Sequence, residues 1–158
     1  MTKYLQTRAI RGWSAILALA VALATSLPAF AQSGVASPRD AAEVFATATA
    51  AGDAETIAAL YASDAIMLAP GAAPIVGRDA IKAVFVRNFS HGRNRMAFGT
   101  IRVESGADRA AAYWEWASEI TGKSGAVQKT NGRSLVYFRK DGDIWLISAD
   151  MMHVAPAQ

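Results

Sequence analysis

The sequence predicts an α+β domain with three N-terminal helices packed on one face of an antiparallel sheet. Three observations predict it. Three capped segments with apolar residues three and four apart lie between Ser37 and about Phe89. Ala110 to Thr121 then alternates strictly, with Trp114, Trp116 and Ser118 on one side and Tyr113, Glu115, Ala117 and Glu119 on the other. Asp141-Gly142 lies between two further apolar runs and marks a hairpin. Helices followed by a block of strands make the α+β class, not the alternating α/β class.

Each element can be justified in chain order. Ser37 can cap a first helix, with Pro38 at its first position and Asp40 near its positive end. Val44, Phe45 and Ala48 form its apolar face, and Gly52 ends it after Ala51. Asp53 caps a second helix, expected from Ala54 to Ala62, with Ile57, Leu60 and Tyr61 inward. Ser63-Asp64 reads as a turn, Ala65 to Leu68 as a short strand, and Pro70 to Pro74 as a rigid loop. Gly77-Arg78-Asp79 opens a third helix that turns Ile81, Val84, Phe85 and Phe89 to the core. His91 to Arg95 reads as a basic loop. Four strands complete the chain: Met96 to Glu104, Ala110 to Thr121, Val127 to Arg139 (interrupted at Gly132) and Ile144 to Met152. Gly99, Ile101 and Val103 are expected to share one face of the first of these.

The beginning of the chain reads differently. Lys3, Arg8 and Arg11 precede an apolar run from Ala15 to Leu27, and Ala29-Phe30-Ala31 ends it. A basic start, a short apolar stretch and a small-x-small end are the marks of a secretory signal. The run is too short for a spanning helix. Residues 1–31 are therefore expected to be cleaved, leaving residues 32–37 as a polar leader, 38–153 as the domain and 154–158 as a tail. The expected location is periplasmic or secreted, with no membrane attachment after cleavage.

Charge and composition narrow the function classes. The chain has 16 Lys+Arg and 13 Asp+Glu. Three of the bases and none of the acids lie in the signal, so the mature chain is neutral and no nucleic-acid partner is expected. With no cysteine, disulfides, thiolate catalysis and cysteine-ligated zinc are excluded. No His-x-x-x-His spacing, phosphate loop, nucleophile elbow or dinucleotide fingerprint occurs, so neither a metal nor a cofactor is expected.

Two stretches carry a family resemblance. Ala51-Gly52-Asp53, Ala59-Leu60-Tyr61-Ala62-Ser63-Asp64-Ala65, Pro70-Gly71 and Gly77-Arg78-Asp79-Ala80-Ile81 make the first. Gly132 to Gly142, with Trp145 and Asp150-Met151, makes the second. Together they resemble the NTF2-like superfamily, and within it the SnoaL-like and DUF4440 domains related to ketosteroid isomerase. The resemblance implies a bent sheet wrapped around the helices as a cone, with a pocket at the open end, and a homodimer. The isomerase chemistry is not implied. That reaction needs a carboxylate base and two oxyanion donors. The corresponding positions here fall on Ala69 and Phe45, and less directly on Ser134, so the base and one donor are missing.

The remaining candidates are few. Asp150 and His153 stand three apart near the chain's end. A carboxylate that orients a histidine makes a minimal base, whereas residues three apart on a strand point to opposite faces. Trp114 and Trp116 can line a pocket or fill the core; Tyr61 and Met67 pose the same choice. Ser134, Asp150 and Tyr61 would edge an apolar pocket. Arg133 is expected to pair with Glu115 or Glu119 across the sheet. The leading expectation is an exported protein binding a small apolar molecule. The alternatives are an isomerase, cyclase or hydrolase using a base near Asp150 and His153, and an accessory dimer whose pocket is plugged by its own side chains.

Overall fold

The computed structural model describes residues 34–155, so the predicted signal at residues 1–31 lies outside the described residues. Nine elements follow in order: α1 (Asp40–Ala51), α2 (Ala54–Ala59), β1 (Tyr61–Leu68), β2 (Ile75–Val76), α3 (Arg78–Ser90), β3 (Gly92–Ser105), β4 (Arg109–Gly122), β5 (Val127–Asp141) and β6 (Ile144–Val154). The strands form a single curved, unclosed sheet in the order β2-β1-β6-β5-β4-β3. The helices lie against it, α1 chiefly on β3 and α3 on α2 and β1.

The helix ends follow from local chemistry. Gly52 ends α1 in the left-handed region at φ 70, where its N–H reaches the carbonyls of Ala48 and Thr49. Asp53 caps α2 by accepting from the Thr56 amide at 3.0 Å. At the head of α1, the Ser37 hydroxyl accepts from the Arg39 amide at 3.3 Å, and the regular helix begins at Asp40.

Several local expectations are corrected. The second helix stops at Ala59, not Ala62, and Tyr61 opens β1. The Leu60 carbonyl accepts from the Ile147 amide at 2.8 Å, so pairing with β6 replaces another helical turn. Ser63-Asp64 is not a free turn but part of a bulge in β1, between the Tyr61↔Ile147 and Ile66↔Ala149 pairs. β1 runs parallel to β6, so the sheet is not purely antiparallel. A short strand, β2, follows the proline loop. The expected basic loop at His91 to Arg95 is mostly β3, which pairs with β4 from Gly92↔Gly122 onward. Charged side chains do not oppose an edge strand, where one flank faces solvent, and Arg95 sits opposite Glu119. A register shift between Phe98 and Ile101 places Phe98, not Gly99, with the half-buried residues of that face. Val35, in the expected leader, is buried and bridges Trp145.

The core is aromatic at its centre. Trp114 meets Phe98, Phe138 and Phe45 edge-on, with ring centroids 5.3, 6.2 and 6.5 Å apart. Phe85 of α3 meets Phe45 at 5.5 Å. Ala110, Ala112, Trp114 and Trp116 are all buried, as the alternation of β4 predicts.

The convex face carries two apolar rows. Leu68, Met151, Leu135 and Tyr113 are consecutive partners across β1, β6, β5 and β4, and Ile66, Ala149, Tyr137 and Ala111 form the next row. Leu135 and Met151 are 51% and 50% exposed, unusual for large apolar side chains side by side. Charged groups flank the rows: Arg139 bonded to Asp64 on one side, and Glu115 directly opposite Arg133 on the other.

Candidate functional site

The concave face of β6 places one ionisable group in the interior. Asp150 is 3% exposed, and its strand partners are Val136 on β5 and Met67 on β1, both buried. The Tyr61 hydroxyl donates to Asp150 Oδ2 at 2.9 Å. Oδ1 is buried with no hydrogen-bond partner among the described residues. Burial pushes the carboxyl up to about 6, even though Tyr61 and the nearby Ser134 hydroxyl favour its charged form. Burial, then the Asp150 charge, drives the Tyr61 phenol well above its ordinary value, so the phenol keeps its proton. Near neutral pH the pair is therefore a carboxylate held at one oxygen by a neutral donor.

Beside it, the Trp116 indole N–H donates to Ser134 Oγ at 3.2 Å. Trp116 faces Gly132 on β5. A Cβ at Gly132 would lie 2.2 Å from the indole, so the missing side chain is what lets the ring lie across the strand. The result is a connected line on one face: Gly132 seats Trp116, Trp116 bonds Ser134, and Ser134 adjoins Asp150.

The residues picked out from the sequence thus separate into a group and an outlier. Tyr61, Met67, Trp114, Trp116, Ser134 and Asp150 are all buried in the concave interior. His153 is not with them. It is exposed, across from Arg133, because an odd separation along β6 puts it on the opposite face from Asp150. The expected Asp150–His153 pair does not form. What sequence reading missed is the Tyr61–Asp150 bond, whose partners are 89 residues apart and one of which was expected on a helix. Arg78 was missed as well: its Nε donates to the Tyr61 carbonyl at 2.7 Å. The Gly-Arg-Asp triplet at the head of α3 was the available signal.

A cavity of about 500 Å³ opens where the end of α1 meets β3, β4 and β5, with Ala50, Arg95, Met96, Ser118, Lys129 and Asn131 among its lining. It does not touch Asp150. By register and alternation, Arg95, Ala97, Ala117, Glu119, Lys129 and Asn131 of its lining belong to the face opposite Trp116, so the cavity shares no lining residue with the line from Trp116 to Asp150. Among the described residues no group of three or more metal-ligating acids, histidines or cysteines forms.

Comparison with known proteins gives a consistent fold. A family model described as a SnoaL-like domain matches residues 41–147. No curated protein matches the chain. Among solved structures, an NTF2-like protein with a cystatin-like fold from Novosphingobium aromaticivorans is 20% identical at a TM-score of 0.65, over 76% of this chain and 80% of that one. A candidate scytalone dehydratase from Novosphingobium aromaticivorans is 13% identical at a TM-score of 0.70, over 75% and 81%. A ketosteroid isomerase-like protein from Erwinia carotovora atroseptica is 23% identical at a TM-score of 0.60, over 75% and 94%. At these identities the likeness is one of fold.

Proposed function

The chain belongs to the SnoaL-like domain family, and from that premise we propose that it is an exported protein binding a small, mostly apolar molecule in its concave interior. One observation carries this reading: the Asp150 carboxyl is buried among apolar neighbours, with the Ser134 hydroxyl nearby and with Oδ1 bonded to none of the described residues. A buried, half-satisfied carboxylate is costly to the fold, and such groups concentrate where a ligand or a reaction needs them. The ligand this reading calls for is an apolar body with one hydrogen-bond donor, such as a hydroxyl, for Oδ1.

The second reading is an enzyme, and the pKa of Asp150 favours it. A carboxyl near 6 can both take up and return a proton near neutral pH. Asp150 with Tyr61 would then be the acid–base group, in place of the pairing with His153. The likeness to proteins described as a candidate dehydratase and as isomerase-like is in keeping with this.

Native mass spectrometry of the mature protein from its own host tests the binding reading. The expected result is a stoichiometric small compound with a donor group, lost from the Asp150→Leu variant, on a chain that starts at Gln32. A protein that carries nothing, and whose Trp116 indole and Met96 methyl NMR signals do not move with any of a panel of small apolar alcohols and phenols, overturns it.

The proposal includes a homodimer through the convex face. The apolar rows with charged flanks of both signs have the anatomy of an interface that can meet its own copy about a two-fold axis. Met151→Lys is expected to convert a sedimenting dimer to a folded monomer. A wild-type monomer at micromolar concentration would refute the dimer.

A further inference from the structure

The Tyr61 phenol reaches Asp150 only if the start of β1 is held in place, and the β1–β6 ladder does not hold it alone. That ladder pairs Tyr61 with Ile147 and resumes at Ile66 with Ala149, leaving the intervening residues as a bulge. A bulge gives up ladder hydrogen bonds and bends the strand. Three contacts from outside the ladder replace them. The Gly77 amide donates to the Ala65 carbonyl at 2.8 Å. The Arg139 guanidinium grips the Asp64 carboxylate with two bonds, at 3.0 and 2.6 Å. Arg78, the first residue of α3, donates from Nε to the Tyr61 carbonyl at 2.7 Å. Gly77, at φ 92, makes the turn that brings Arg78 against the bulge.

Of the three, only the Arg78 bond acts on the residue whose side chain meets the carboxyl. A tyrosine has few rotatable bonds, so a fixed backbone fixes the hydroxyl. A charged donor on a carbonyl is also stronger than a neutral one. We infer that Arg78 is a positioning residue: its clamp on the Tyr61 carbonyl aims the phenol at Asp150 and so helps set how readily that carboxyl gives up its proton. The inference rests on the reading of Asp150 as the polar anchor of the site. Tyr61 from β1 is the ionisable group facing Asp150, Ser134 faces it from β5, and among the described residues no charged side chain bonds to it. The α3 residue therefore acts through Tyr61, not by its charge.

The test is a carbon-13 carboxyl NMR titration of Asp150 in the full, ligand-free chain, comparing wild type, Tyr61→Phe, Arg78→Ala and the double variant. Tyr61→Phe removes a bond that favours the charged form and is expected to raise the midpoint by about half a pH unit or more. Arg78→Ala is expected to raise it in the same direction by at least half as much, and to add almost nothing in the Tyr61→Phe background. If Arg78→Ala does not fold, Arg78→Lys takes its place in the same cycle, because lysine lacks the Nε–H that makes the clamp. An unmoved midpoint in the Arg78 variant overturns the inference, as does an unmoved midpoint in Tyr61→Phe. Additive shifts overturn it too, since they mean that Arg78 acts by charge alone. No ligand enters the measurement, so a non-additive cycle stands even where ligand capture fails, and capture of a ligand does not rescue an additive one.

Discussion

Gly132→Ala is expected to destabilise the folded chain by about 3 kcal/mol and to release the Trp116 indole from Ser134. The added Cβ would lie 2.2 and 2.4 Å from two indole carbons and 2.5 Å from the His153 carbonyl oxygen. None of these is the yielding tip of a flexible side chain. The indole is 8% exposed and bonded to Ser134, and the carbonyl belongs to the adjacent β6 backbone. Either the ring leaves or the two strands part. Chemical denaturation gives the magnitude, and the near-ultraviolet circular dichroism of the tryptophans reports whether the ring has moved. Adding Trp116→Ala should restore part of the loss, because it removes the clash with the ring but leaves the clash with the backbone. A Gly132→Ala protein with wild-type stability would mean that the ring does not lie over this glycine. The line from Trp116 to Asp150 would then have no support.

Asp150→Asn is expected to change the pH dependence of stability as much as any single substitution in the chain. In the folded protein this carboxyl titrates near 6, against an ordinary value of 3.8. Between those two values the folded state holds a proton that the unfolded state has lost. Stability contributed through this group therefore falls as pH rises through that window. Above it the full cost is about 3 kcal/mol, and the group is too buried for solvent to screen it. The difference in unfolding free energy between wild type and Asp150→Asn should thus grow from pH 4 to pH 7 in favour of the variant, and then level off. A flat difference across that range would place the folded carboxyl at its ordinary acidity and take away the main support for a functional Asp150. A residue that lowers stability at neutral pH, next to apolar partners that would suit a leucine, is expected where function requires it.

How far these features could be read in advance depends on the range over which each is decided. The alternation of β4 is local, so the inward facing of Trp114 and Trp116 was legible. The separation of Asp150 from His153 was decided by the structure, because the strand expected to end at Met152 runs on through Val154 and carries His153 to the opposite face. Gly132 was visible as an interruption in β5, but not as the seat of an indole, because the partner strand sets what lies above it. Tyr61 was assigned to the wrong element. Its spacing from Ile57 and Leu60 suits a helix, yet all three are buried equally well at a helix-to-strand corner. The deciding bond comes from Ile147, far along the chain.

The sequence by itself determined the α+β class, the family, the glycine stop of α1, the Asp53 cap of α2, and which face of β4 turns inward. These follow from residue type and from periods of two and 3.6, which a chain expresses over a few neighbouring residues. Only the tertiary structure decided that β1 lies parallel to β6, that its bulge is held by Arg78 and Arg139, and that Tyr61 meets Asp150. Those contacts join segments separated by tens of residues, and periodicity specifies a face without specifying which remote face it will meet. The chemistry of the candidate site lies in that second set, because a carboxyl's acidity is set by what is packed around it.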